Sequence, residues 1–229
     1  ELVSLLPSNN EDTDSFEECT DDLNRACDGL DNMAADTAAA FRQISDNGVF
    51  FETKCNYAKE MVTGFIKLNG ATVGALGNRT VVYDENGGVA EKFDAVLTAH
   101  GCEKAAEFVA FCDAFDIPVL SLTNTTGYAA TKCEERHIAR NAAKLVYAFA
   151  NATIPKVNLI TGKALGSAYV VMNSKSVGAD ITICWPDAEI GTMEADMAAK
   201  IICDGKDIDA VAACAQEYTK LQNSALSAA

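Results

Sequence analysis

Apolar and polar positions alternate or cluster along this chain with two distinct periods, and the change of period marks its elements. Residues 34–45 place Ala38, Phe41 and Ile44 on one side of a helix that Asn47-Gly48 ends. Residues 49–52, 61–68 and 71–77 then read as strands. Asn69-Gly70, between the last two, is a tight-turn dipeptide. Residues 80–83 read as a further strand and Asn86-Gly87-Gly88 as a loop, so this block looks like the antiparallel edge of a mixed sheet. From Gly101 the period lengthens. Ala105, Phe108, Val109, Cys112 and Asp116 share one helical face, mostly apolar, and residues 117–122 follow as a strand. Residues 134–150 form a long helix with Ile138, Ala142, Leu145 and Phe149 in line. Strands at 154–161 and 181–184 and helices at 166–174, 193–203 and 208–225 complete the pattern. Helices alternating with short apolar strands imply an α/β fold with parallel strands and crossover helices. Residues 1–15 are a polar lead-in and 16–32 a weak helix. Residues 1–30 are therefore expected as a loosely attached linker, and 31–229 as one domain.

Composition narrows the function. The chain has 229 residues, 49% of them hydrophobic, enough for one sizeable core. No apolar run approaches the roughly 18 residues of a membrane span, and no secretory signal opens the chain. It begins at Glu1, as expected of a processed chain or a piece of something longer. A net charge of −15 repels phosphate backbones, which argues against a nucleic-acid partner. The nine cysteines form no C-x-x-C pair and are accompanied by two histidines, so no metal site is expected. They read as buried fillers of a protein from a reducing cytosol.

Candidate chemistry concentrates in residues 154–193. There an apolar strand runs into the small-residue sequence Lys163-Ala164-Leu165-Gly166-Ser167-Ala168 and a helix start. Small residues let a ligand approach the backbone, and amides freed at a helix start can receive charge developing on an oxygen. Close packing of helix on sheet calls for the same residues, and both readings stand. Asn124-Thr125-Thr126-Gly127-Tyr128 follows a strand in the equivalent place, where α/β sheets bind ligands; an ordinary Asn/Thr turn would look alike. Trp185-Pro186 is expected to shape the same rim, with Glu189 and Glu194 as solvated acids lacking a partner. His100 and His137 fit no catalytic triad, and no G-x-S-x-G elbow occurs. Arg136, His137, Arg140 and Lys144 form a basic stripe, either a solvated face or a dock for an acidic partner or a phosphate.

Several longer motifs occur in a family's order. They are Phe108-Val109-Ala110-Phe111-Cys112-Asp113-Ala114-Phe115, Ala143-Lys144-Leu145-Val146-Tyr147-Ala148, Ala152-Thr153-Ile154-Pro155-Lys156-Val157, Gly178-Ala179-Asp180 and Trp185-Pro186-Asp187-Ala188-Glu189-Ile190. Through them the chain resembles the carboxyl-terminal half of biotin-dependent acyl-CoA carboxyltransferases, of the propionyl-CoA, methylmalonyl-CoA and sodium-pump decarboxylase types. The resemblance implies a crotonase-like (ClpP/crotonase) fold, a mixed sheet with crossover helices, truncated here at its carboxyl end. It also implies carboxyl transfer between carboxybiotin, borne on a partner biotin carboxyl carrier protein, and the α carbon of an acyl-CoA. The implied partners are an amino-terminal carboxyltransferase half and further copies in a hexamer, with a membrane involved only through a pump complex. With half of the acyl-CoA site missing, the isolated chain is expected to be inactive; basic groups for coenzyme A would come from elsewhere.

By the same resemblance the oxyanion-binding turn falls on Gly166, Ser167 and Ala168, with the amides of Ser167 and Ala168 as donors. Thr125, Thr126, Gly127, Tyr128, Lys163, Leu165 and Val170 would line the biotin and substrate pocket. The chain departs from the family pattern at several points. Gly162 stands where Arg is common, Ser167 where a second Gly is common, and Val170 where Asp is frequent. Thr125-Thr126-Gly127-Tyr128 replaces Val-Pro-Gly-Phe, and Met193-Glu194-Ala195-Asp196 replaces Met-Gly-Pro-Glu. A non-catalytic assembly module of a carboxylase or decarboxylase complex is the alternative these departures raise.

Overall fold

Strands whose two faces are both apolar end up covered on both sides, and this chain's central sheet is built that way. A computed structural model describes residues 2–11, 18–30, 35–84 and 86–228. Its strands in the main sheet are β1 (Phe50–Thr53), β2 (Met61–Leu68), β3 (Ala71–Asn78), β7 (Val119–Thr125), β9 (Lys156–Leu165), β10 (Ile181–Cys184) and β11 (Glu189–Gly191). The seven run in the order β1-β2-β3-β7-β9-β10, with β11 also on β9. β1, β2 and β3 pair antiparallel, and the remaining pairings are parallel, so the mixed sheet with an antiparallel edge is observed.

Alternation along β2 and β3 sends neighbouring residues to opposite layers. Phe65 and Leu76 join one core, against α3 (Ala99–Ala114) and α4 (Glu134–Asn151), with Cys102, Val109, Leu145 and Phe149. Ile66 and Ala75 join the other, against α2 (Thr37–Ile44), with Ala38 and Phe41. α3, which connects β3 to β7, lies on the sheet, and α4, which connects β7 to β9, packs mainly against α3. The chain continues through the short α5 (Gly166–Val171) and a carboxyl-terminal group, α6 (Ala195–Ile202), α7 (Ile208–Leu221) and α8 (Ala225–Ala228).

Several expectations need correction. The expected strand at 80–83 is β4 (Val81–Tyr83), which leaves the main sheet and pairs with β5 (Val89–Lys92) instead. The segment 124–130 is no plain loop: β8 (Gly127–Tyr128) pairs in parallel with β6 (Val96–Leu97). β9 does not stop at residue 161 but runs on through Leu165, because β11 supplies pairing for Lys163, Ala164 and Leu165 after β10 has ended. α5 is correspondingly shorter than residues 166–174.

The described parts of the lead-in are docked on the rest of the chain. A short helix, α1 (Leu2–Leu5), buries Leu5 in the α3/α4 core. Arg25 donates to the Ser45 carbonyl at 2.9 Å, and the Asp21 carboxylate accepts the Asn47 N–H at 2.8 Å. Residues 18–29 form turns, not a helix. The expected boundary at residue 31 and helix start at residue 34 lie outside the described residues. Of the nine cysteines, Cys102, Cys112 and Cys203 are buried, whereas Cys55 and Cys133 are exposed, so the filler role holds only in part.

Candidate functional site

β9 leaves the sheet at Leu165, and the next residue reverses the chain. Gly166 has φ of +61°, a left-handed conformation that a side chain would strain. A Cβ there would also stand 3.1 Å from the Thr192 carbonyl oxygen, on the segment that follows β11. α5 begins at once. The residue at its cap position, Leu165, is apolar and makes no side-chain capping bond. The first amides of a helix have no carbonyl four residues back, so this start presents N–H groups that the helix cannot satisfy. Ser167 is exposed there, Ala168 is buried with 1% of its surface accessible, and Val170 is exposed on the same short helix.

Gly127 and Tyr128 pack directly against α5, so the two loops singled out from the sequence meet. Tyr128 is half-buried, with its phenol near the Ser167 side chain. Burial pushes its pKa above the ordinary tyrosine range, and interaction with Ser167 opposes that rise. The loop itself is stitched down. The Thr126 N–H and hydroxyl both donate to the Ala95 carbonyl, at 2.7 and 3.1 Å, and the Ala129 N–H donates to Leu97 at 2.9 Å. Thr125 and Leu165 have buried side chains. The Thr125 hydroxyl is spent on the Gly127 carbonyl at 3.2 Å, which leaves both residues as backbone and support.

Lys163 turns its ammonium to Glu194, Nζ to Oε1 2.9 Å, and this bond, with Glu189 and Asp196 nearby, raises its pKa. The expectation that Glu194 lacks a partner is therefore corrected: the ion pair ties the segment before α6 to the strand that carries the turn. Asn223, fully buried, acts beside it. Its carbonyl accepts the Ile190 N–H at 2.8 Å and its Nδ2 donates to Met193 at 3.0 Å. Trp185 follows β10 and donates its N–H to Ile160 at 3.0 Å.

Two residues discounted from the sequence fall elsewhere. His100 accepts or donates at 2.8 Å to the Tyr57 hydroxyl and lines a cavity of about 550 Å³ with Glu60, Asp94, Thr98 and Glu134, a lining that does not include the Gly166 turn. His137, Arg136, Arg140 and Lys144 are exposed on α4, with Lys144 paired to Glu103 at 2.6 Å. No group of three or more His, Cys, Asp or Glu able to hold a metal occurs among the described residues. No helix among them is long and apolar enough to cross a membrane. Sequence reading missed Asn78 and Asn223. Each is an asparagine at the end of an element, a position where side-chain amides often replace backbone partners, and only their burial singles them out.

The carboxyl transferase domain family matches residues 1–226. The mitochondrial propionyl-CoA carboxylase beta chain of Rattus norvegicus is 38% identical over 231 residues, covering 97% of this chain and 41% of its own. Methylmalonyl-CoA decarboxylase subunit alpha of Propionigenium modestum is 38% identical over 209 residues, 88% of this chain and 38% of its own. Among solved structures, the transcarboxylase 12S hexamer with hydrolysed methylmalonyl-coenzyme A superposes with a TM-score of 0.87 at 32% identity, over 99% of this chain and 44% of that one. The chain thus spans about two fifths of the length of these relatives.

Proposed function

Because this chain belongs to the carboxyl transferase domain family, with that family's crotonase-like fold, we propose that it is the biotin-side half of an acyl-CoA carboxyltransferase. It would move a carboxyl group between carboxybiotin and the α carbon of a short acyl-CoA of the propionyl/methylmalonyl or acetyl/malonyl type, in the carboxylation or decarboxylation direction. The observation that carries this reading is the uncapped start of α5 at Gly166, opening beside Tyr128.

Biotin, when bound, supplies a ureido group that carries and releases the carboxyl. The residues present suit such a group: free amides for an oxygen bearing negative charge, and the half-buried Tyr128 with exposed Val170 as an apolar rim. The Ser167 and Ala168 N–H groups would stabilise that charge without reorganising, since the φ of Gly166 and the pairing of Leu165 with Gly191 set their direction beforehand. Tyr128 would hold the Ser167 hydroxyl to one side and exclude water from that edge. Thr125 and Leu165 would support from beneath. Lys163, engaged by Glu194, would fix the strand rather than transfer a proton. Val170 is neutral, so it would shape the acyl pocket by size, not charge.

The missing acyl-CoA side would come from an amino-terminal half, and the carboxyl from a biotin carboxyl carrier protein. A hexameric homo-oligomer in the cytoplasm is the assembly proposed, with a membrane reached only through a pump-type decarboxylase complex. The test is reconstitution of this chain with its matching amino-terminal half. Biotin-dependent decarboxylation of methylmalonyl-CoA and malonyl-CoA, followed by chromatography, is expected. Ala168→Pro, which deletes one proposed donor, should lower that rate by about 100-fold or more. Full rate from a folded proline variant would remove Ala168 from the site. No turnover from a confirmed complex with either substrate would make the chain an assembly module.

A further inference from the structure

The pairing of β7 with β9 is broken at one place. Thr123 lies opposite Ile160 and Thr125 opposite Ala164, so Asn124 alone faces Thr161, Gly162 and Lys163. A bulge of this kind leaves backbone groups without ladder partners and turns the longer strand. The Asn124 side chain fills the gap: its Oδ1 accepts the Lys163 N–H at 2.9 Å. Gly162 makes this possible, because a Cβ at that position would stand 2.6 Å from the same oxygen.

Asn124 is itself held from the other side. The Asn78 Oδ1 accepts the Asn124 N–H at 3.0 Å, and the Asn78 Nδ2 donates to the Asn124 carbonyl. Asn78 ends β3, has 3% of its surface accessible, and its carbonyl accepts the Thr37 hydroxyl of α2 at 2.6 Å. Two amide side chains therefore step across three neighbouring strands, β3 to β7 to β9, just below the Gly166 turn. Backbone N–H groups can meet only the oxygen of each amide, which settles how both are turned.

We infer that Asn78 and Asn124 are positioning residues that set the size of the β9 bulge and thereby the place and direction of the Ser167 and Ala168 amides. This rests on the function proposed above. The relay makes an asymmetric demand. Asn124 is used toward Lys163 only as an acceptor, so aspartate can replace it. Asn78 must accept and donate at once, so aspartate cannot.

The experiment uses the complex with the amino-terminal half and compares wild type, Asn124→Asp, Asn124→Ala and Asn78→Asp. Amide hydrogen exchange over residues 160–168 should quicken about tenfold or more in Asn124→Ala and Asn78→Asp and stay near wild type in Asn124→Asp. In biotin-dependent decarboxylation the first two should raise KM for free biotin and lower kcat, with KM for the acyl-CoA unchanged. A loss of folded enzyme alone would lower kcat and leave both KM values in place. Unchanged exchange in folded Asn124→Ala overturns the relay. Faster exchange with unaltered biotin KM and kcat overturns the positioning role. Absence of biotin-dependent turnover in the wild-type complex overturns the proposed function and the catalytic positioning with it, while the exchange pattern still decides the relay.

Discussion

Lys104 carries an ammonium into the core, and its cost can be followed with pH. It lies on α3 with 1% of its surface accessible, donating to the carbonyls of Tyr57 at 2.8 Å and Ala58 at 3.3 Å. Burial lowers its pKa from 10.5 to about 8. The folded protein then releases this proton before the unfolded chain does. Between pH about 8 and 10.5 the unfolded state binds more protons, and stability gains with rising pH. Urea denaturation should show wild type gaining on Lys104→Met across that window, with a flat difference below pH 8. A difference independent of pH throughout would mean the ammonium is solvated. The position was legible in principle, since Lys104 is four residues before Phe108 and shares its buried face; a lysine there simply masks the stripe. At the site, by contrast, the glycine and small-residue run of 163–168 stood out, whereas Asn78 did not, because its partners lie 46 residues away at Asn124.

Elements depend on staples that no local pattern announces. The Glu134 carboxylate, in the first turn of α4, accepts the N–H of Ala99, the first residue of α3, at 2.5 Å; Asn141 donates to the carbonyl of the same residue at 3.0 Å. One residue is thus held through both its N–H and its carbonyl by the neighbouring helix. Glu134→Ala should cost about 1–3 kcal/mol in urea denaturation, the scale of a buried amide left unpaired, and Glu134→Gln much less. Equal losses would assign the effect to charge rather than to the hydrogen bond. The helices α3 and α4, the hairpin of β2 and β3, and the strands β7 and β10 were readable because their periodicity runs over several residues. β6 and β8, two residues each, exist only because remote segments meet. The end of β9 was misplaced for the same reason: β11 extends it.

Across the whole molecule an apolar face remains on the carboxyl-terminal helices. Met197 and Ile201, four residues apart on α6, are 58% and 69% exposed, and Ile208 at the start of α7 is 87% exposed. Exposed apolar residues gathered in this way favour association, while the net charge of −15 opposes it. Salt screens the charge but not the apolar contact. Light scattering of the isolated chain after size exclusion should therefore show larger species as salt rises, and Ile201→Lys with Ile208→Lys should return it toward monomer. Association unaffected by these changes would locate the contact elsewhere.

Sequence by itself determined the α/β architecture, the antiparallel edge, the long crossover helices and the glycine turn at the end of β9. These follow from periodicity and from conformations that few residues tolerate, both local properties. The docked lead-in, the Lys163–Glu194 pair and the asparagine relay were decided only by the tertiary structure. Each joins residues from separate elements, and a polar side chain finds its partner only after the sheet has brought those elements together.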